Sequence, residues 1–241
     1  MLGTQVVANA VCKYRERIKR FVHISSSEVY GTAQAPVMDE NHLLHPMSPY
    51  AAAKAGADRL VYAYWSTYGI PAVIVRPFNN FGPRQHLEKL IPRFITSGLL
   101  DEPLMVHGDG KALRDWLHVE DHCQALDLIL HHDIQVLAGE VINLGSGRSI
   151  AIRDIAEIVC TKMKIPISKI QFIGDRPGQV FRHTASTEKA QRLLGWRSQI
   201  DFDEGLDRTI DWYKSNSAWW QKQLWMRHIP IITAAGNREL H

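Results

Sequence analysis

SSSEVYG, Ser25 to Gly31, and SPYAAAK, Ser48 to Lys54, are the two stretches on which the reading of this chain turns. The first overlaps the end of an apolar run, RFVHIS (Arg20 to Ser25), that reads as a buried strand. The second opens a long helical stretch, Ser48 to Tyr68, with Ser48 as its N-cap and Pro49 at the first helical position. Between them they supply hydroxyls, one carboxylate, a phenol and an amine. Tyr50 and Lys54 are four residues apart, so on a helix they share a face. There the ammonium favours the phenolate by charge pairing. A phenolate held near neutral pH accepts a proton from an alcohol. That is half of an alcohol oxidation; a nicotinamide taking the hydride is the other half.

Outward from these segments, short apolar runs alternate with amphipathic stretches, which predicts an α/β fold. AVIV (Ala72 to Val75), Leu104 to His107, Val141 to Leu144 and Gln171 to Ile173 read as strands. Met1 to Arg20, Leu90 to Leu99, Val119 to His132, Ile152 to about Lys164, Thr187 to Leu194 and Phe202 to Lys214 read as helices. A Gly/Pro-rich stretch, FNNFGPRQ (Phe78 to Gln85), marks a lobe boundary. The 241 residues suffice for one or two lobes, and the formal charge of +3 is modest. Lys and Arg are scattered, which argues against a nucleic-acid stripe. Cys12, Cys123 and Cys160 share no short spacing and read as reduced thiols of a cytoplasmic protein. No apolar run reaches membrane-spanning length, and no signal peptide is read at the start. HVEDH, His118 to His122, is no zinc motif, because its Glu is misplaced for HExxH; it reads as a strand end entering a helix. No metal site is expected.

SSSEVYG, SPYAAAK, RPFNNFGPR, EKLIPRFI, GDGKALRDWLHVED, INLGSG, DRPGQVFRH and LGW occur in this order. The set resembles the extended short-chain dehydrogenase/reductases that act on nucleotide-diphosphate sugars, most of all the NDP-hexose 4,6-dehydratases. The resemblance covers Leu2 to Lys214 and implies a Rossmann-like, doubly wound parallel sheet with a smaller α/β substrate-binding lobe. It implies residues 1–82 as part of an NAD-binding domain carrying the catalytic residues. Residues 83–215 would form mainly the sugar-nucleotide lobe, with strand exchange, and 216–241 a tail. Family members begin with a strand and a Gly-rich turn that holds the cofactor pyrophosphate; by analogy about 90 residues of the first βαβ units are missing before Leu2. The turn Gly145 to Gly147 follows a strand and opens a helix but lacks the third Gly of that fingerprint.

By this resemblance Ser26 hydrogen-bonds the sugar 4-hydroxyl, Tyr50 takes its proton, and Lys54 supports Tyr50 and touches the nicotinamide ribose. Ser25, Pro77 and Asn80 join Tyr50 and Lys54 on the NAD side. Glu28 is the base for the C5 proton, a role that a simple epimerase does not need. Ser27 departs from the dTDP-glucose type, which has an Asp there to protonate the leaving hydroxyl. Ser-Glu in this setting also resembles UDP-glucuronate decarboxylases, so decarboxylation and 4-epimerisation are the alternatives within the family. A non-catalytic sugar-nucleotide-binding fragment is the alternative outside it. Asn79, Lys89, Leu90, Met105, Val106, His107, Asn143 and Gln179 are implied substrate contacts, with Arg114 and Arg176 as diphosphate clamps. A homodimer through a four-helix seam is implied for the helices at Val6 to Val11 and Ala51 to Tyr64. Taken without the resemblance, Tyr50 with Lys54 is an ordinary helix surface pair, and each Arg an ordinary surface ion pair.

Overall fold

The computed structural model describes residues 1–174, 180–227, 230–232 and 238–240. The chain divides into two compact units. The first comprises 1–80, 114–149 and 180–199; the second comprises 81–113, 150–179 and 200–241. The first change of unit falls in the expected Gly/Pro-rich stretch, two residues before the expected 82/83 boundary. The chain then returns to the first unit twice, at 114–149 and 180–199.

The first unit is built on a parallel sheet in the order Phe21–Ile24, Ala72–Pro77, Val141–Leu144. Phe21 pairs with Ala72 and Ile24 with Val75, while Ile74 pairs with Val141 and Pro77 with Leu144. The central strand, AVIVRP, is buried along almost its whole length. An unbroken apolar run of this kind is what a strand covered on both faces requires. Its alternate residues feed two separate cores, as the two-residue period of a strand dictates. Ala72 and Ile74 join Val11, Val61 and Ile70 on one face. Val73 and Val75 join Leu117, Ala125, Ile129, Leu194 and Trp196 on the other. The expected double covering is therefore observed.

Helix Pro49–Tyr68 connects the first two strands. It starts where the sequence predicts: Ser48 Oγ accepts the Ala51 N–H at 3.1 Å. It ends at Gly69, which adopts φ +64° and donates its N–H to the Trp65 carbonyl. The expected helix over Met1 to Arg20 is shorter, Leu2–Lys13. HVEDH behaves as read: strand Leu113–His118 runs into helix Val119–His131, and His118 Nδ1 accepts the Glu120 N–H.

A buried polar network pins the segment after the strand ends. Arg76 forks onto Asp58, with Nε and Nη2 at 2.9 and 3.0 Å from the two carboxylate oxygens. Its Nη1 donates to the Tyr30 hydroxyl, which donates to Asn143 Oδ1 at 2.8 Å. Burial opposes the charge on Asp58, but hydrogen bonds and charge from Arg76, helped by Arg59, overcome it and hold the carboxyl below the usual range. Burial drives the Tyr30 phenol up to about 12, against the pull of Arg76.

In the second unit, strand Leu104–His107 pairs in parallel with Ile170–Ile173, and helices Leu90–Leu99, Ile152–Met163 and Phe202–Ser215 pack around it. The Trp-rich stretch is not a separate tail as far as Arg227. Trp220 is buried and donates its indole N–H to the Tyr213 carbonyl. Trp219 meets Trp212 edge-on at 5.1 Å, and Arg227 bonds Ser97 and Glu102. The buried Trp220 indole thus joins residues 216–227 to the core of this unit.

Candidate active site

The site grows from the carboxyl ends of the parallel strands, where open α/β sheets hold their ligands. Strand Phe21–Ile24 gives way at Ser25, whose N–H still reaches the Val75 carbonyl at 2.8 Å. The chain then tightens into a 3₁₀ turn, Ser27–Tyr30, capped by Ser26, whose Oγ accepts the Glu28 N–H at 3.2 Å. The turn closes at Gly31, with φ +68°. A Cβ there would sit 2.1 Å from the His45 carbonyl oxygen, so only glycine fits.

Helix Pro49–Tyr68 packs on this turn, with Ala55 in one cluster with Val29, Tyr30 and Phe78. Lys54 donates its ammonium to the Ile24 carbonyl at 3.0 Å, which ties the Tyr50/Lys54 face to the strand end from which Ser25 to Glu28 depart. Tyr50, one turn earlier, is 58% exposed, so its phenol is open to an incoming ligand. Ser26 is half-buried, Ser27 is buried, and the Glu28 carboxylate is one-third exposed. Pro77, Asn79 and Asn80 are half-buried at and just past the end of the central strand. Lys54 is thus hydrogen-bonded to the residue just before Ser25 to Glu28, and Tyr50 stands one turn earlier on the same helix.

His183 also belongs here, and no role was read for it although it lies in the quoted DRPGQVFRH run. Backbone hydrogen bonds seat its segment against the loop after the turn: Ala33 N–H to the Arg182 carbonyl, and Met38 N–H to the Thr184 carbonyl. The ring is fully buried. Its Nε2 lies 2.7 Å from the Gly31 carbonyl, which can only accept, so that nitrogen carries the hydrogen. Burial first, then the charge of Arg114, lowers the imidazole to about 4, so it is neutral near pH 7. Nδ1 then presents a lone pair 3.5 Å from Ser27 Oγ and 3.8 Å from Glu28 Oε1. With a neutral ring this last approach is no ion pair.

Two of the residues expected at the ligand have fully buried side chains. Asn143 is fully buried; its Oδ1 accepts from Tyr30, its Nδ2 donates to the Met38 carbonyl, and its backbone N–H meets Glu40. Its amide holds the loop. Val106 is also fully buried, because the alternation of strand Leu104–His107 turns it into the core of the second unit. In that unit Met105 is half-buried and His107 Nδ1 lies 3.0 Å from the Gly174 carbonyl. Lys89 stands just before helix Leu90–Leu99 and pairs with Glu88 at 2.9 Å; Leu90 is half-buried. Arg114 is half-buried in the first unit. Arg176 and Gln179 lie outside the described residues.

The Gly145–Gly147 turn is occupied from within. The buried Asp115 carboxylate takes the Ser146 N–H and Oγ–H, the Gly147 N–H and the Ala185 N–H, all between 2.7 and 3.0 Å. An internal anion sits where a phosphate would need to bind, so this turn is not a dinucleotide loop.

A parallel sheet ending in a hydroxyl-carboxylate turn, faced by a Tyr-x-x-x-Lys helix, is the site of an extended short-chain dehydrogenase/reductase. A sequence profile described as GDP-mannose 4,6 dehydratase matches residues 1–209. The chain is 42% identical over 220 residues to a dTDP-glucose 4,6-dehydratase of Actinoplanes sp., covering 91% of this chain and 67% of that protein. It is 40% identical to the dTDP-glucose 4,6-dehydratase of Streptomyces niveus, covering 91% of this chain and 64% of that protein. The crystal structure of dTDP-glucose 4,6-dehydratase from Bacillus anthracis in complex with NAD superposes with a TM-score of 0.87 at 36% identity, over 92% of this chain and 70% of that one. The chain belongs to the GDP-mannose 4,6-dehydratase family. It spans about two thirds of the length of these relatives.

Proposed function

We propose that this chain is the catalytic portion of an NAD-dependent NDP-hexose 4,6-dehydratase. The observation that carries this reading is Glu28, a partly exposed carboxylate on the turn to which the Tyr50/Lys54 helix is tied. The residues on the NAD side fit the nicotinamide end of the cofactor. Tyr50 is open, and the Lys54 ammonium keeps two further hydrogens for a ribose beyond the one given to Ile24. Ser25, Pro77 and Asn80 line the same strand ends. NAD, when bound, supplies a hydride acceptor for the sugar C4 and later a hydride donor for C6.

The protein's own part is proton handling. Ser26 holds the 4-hydroxyl and Tyr50 takes its proton. The ketone acidifies the C5 hydrogen, and Glu28 removes it as the C6 hydroxyl departs. Within the first unit, Arg114 is offered to the diphosphate and Asn79 to the sugar. The dTDP-glucose relatives favour dehydration over decarboxylation or 4-epimerisation. No helix among the described residues is long and apolar enough to cross a membrane, in keeping with a cytoplasmic enzyme. Val6, Val7 and Tyr62 leave apolar surface exposed on the paired helices Leu2–Lys13 and Pro49–Tyr68, which supports a homodimer through these helices.

The test is to incubate the NAD-loaded full-length protein with dTDP-glucose, UDP-N-acetylglucosamine and UDP-glucuronate, and to identify products by mass spectrometry and NMR. A 4-keto-6-deoxy sugar is the expected product. A pentose would establish decarboxylation, and an isomer inverted at C4 would establish epimerisation. Glu28→Gln should stop loss of water while still allowing NADH to form.

A further inference from the structure

Elimination of water needs two proton movements: one off C5 and one onto the departing oxygen. Glu28 serves the first. Ser27, its buried neighbour, occupies the position that the resemblance gives to the acid for the second, but a hydroxyl is not by itself a proton source. It can only pass on a proton that something else replaces at once. The group that both side chains share is His183. Its Nε2–H is committed to the Gly31 carbonyl at 2.7 Å, and its Nδ1 faces Ser27 Oγ at 3.5 Å and Glu28 Oε1 at 3.8 Å. Its plane is fixed further by Phe78, edge-on at 6.1 Å.

From this geometry we infer that His183 is a positioning residue that relays the proton from Glu28 to Ser27 during elimination. The inference rests on the dehydratase reading above. The C5–H electrons form the C5–C6 double bond as the C6–O bond breaks, and the C5 proton goes to Glu28. Glu28 hands a proton to Nδ1, Nδ1 hands it to Ser27 Oγ, and the Ser27 hydroxyl proton goes to the departing oxygen. Water leaves, and Glu28, His183 and Ser27 all return to their starting protonation states. Every proton is accounted for without an outside acid. The approaches are long for hydrogen bonds and must shorten by about 1 Å or less on substrate binding, as catalytic contacts commonly do. Glu28 has room to move, being one-third exposed, while His183 does not.

Around the ring stand Arg114 and His42, whose charges disfavour an imidazolium, and Glu28, whose charge favours one. The protonated ring is therefore short-lived, which suits a carrier and not a store.

The experiment separates the two half-reactions in the NAD-loaded full-length protein. Single-turnover NADH fluorescence reports C4 oxidation, and product release reports the completed cycle. For His183→Gln, and equally for Ser27→Ala, bound NADH should build up and persist while product formation falls about 100-fold or more, the scale of a lost acid-base contribution. Adding Ser27→Asp to His183→Gln should restore product, because a carboxylic acid brings its own proton. Product at the native rate from His183→Gln, or from Ser27→Ala, overturns the relay. Loss of NADH formation in His183→Gln with no rescue by Ser27→Asp also overturns it, in favour of a purely structural histidine. If the unaltered protein forms no 4-keto-6-deoxy sugar from any substrate tried, the dehydratase reading itself fails and the relay with it.

Discussion

The roles proposed for Tyr50 and His183 fall on opposite environments, an open side chain and a fully buried one. The two therefore make different predictions. Tyr50→Phe removes one oxygen that no fold-stabilising contact uses in the described structure, so its melting temperature should stay within a degree or two of the parent. Its turnover should drop by roughly 100- to 10,000-fold, measured as kcat on the natural sugar nucleotide. A kcat within threefold of the parent would remove Tyr50 from the mechanism. His183 predicts a pH effect. Its folded value of about 4 lies below the unfolded 6.5, so between these values the unfolded chain binds more protons. Stability is then full above about pH 6.5 and is lost as pH falls toward 4, by up to roughly 3 kcal/mol. Urea titrations across this range should show the loss in the parent and a flatter profile in His183→Gln. Parallel profiles would mean that the imidazole is not held neutral by the fold.

Among elements, the strand-to-turn junctions decide what the chain can bind. At Ser27–Tyr30, the Ser26 cap and Gly31 force a tight 3₁₀ turn that puts two consecutive side chains beside one histidine. At Gly145–Gly147, Asp115 fills an anion nest from inside with four donors. Asp115→Ala would leave those donors buried and unpaired. The expected cost is about 3–5 kcal/mol by urea unfolding, the combined penalty of several buried neutral donors left without an acceptor. A loss under about 1 kcal/mol would show that the loop closes without the carboxylate. Helix Pro49–Tyr68 illustrates a junction whose signals are all local: Ser48 caps it, Pro49 starts it and Gly69 ends it. Ser48→Ala should cost about 1 kcal/mol in the same assay.

For the molecule as a whole, the buried Arg76–Asp58 fork and its extension through Tyr30 to Asn143 join the sheet, a helix and the loop beyond the active-site turn. Arg76→Met should destabilise by about 3 kcal/mol at neutral pH, because the buried Asp58 then loses its bidentate partner. Arg76→Met with Asp58→Leu should cost clearly less than the two single changes added together, since no orphaned charge remains. Additive costs would mean the pair is not coupled. The pair's contribution exists above the free carboxylate value near 3.9 and is lost as pH falls through the lower folded value. The α/β class, most helix limits and the buried strands were legible from residues alone, because apolar period and caps are local properties, whereas the Ser26–Glu28, Tyr50–Lys54 constellation came from the family resemblance. Three things were legible from neither. His183 reaches Ser27 across 156 positions, through backbone bonds between its segment and the loop at Ala33 to Met38. The amide of Asn143, an expected ligand contact, is bound into the buried network. The chain's alternation between two units follows from which distant strands pair. The sequence by itself determined the kinds of element and the reactive groups they carry; only the tertiary structure decided which polar groups are spent inside and which face a ligand, because burial and hydrogen-bond partnership are set by residues far apart in the chain.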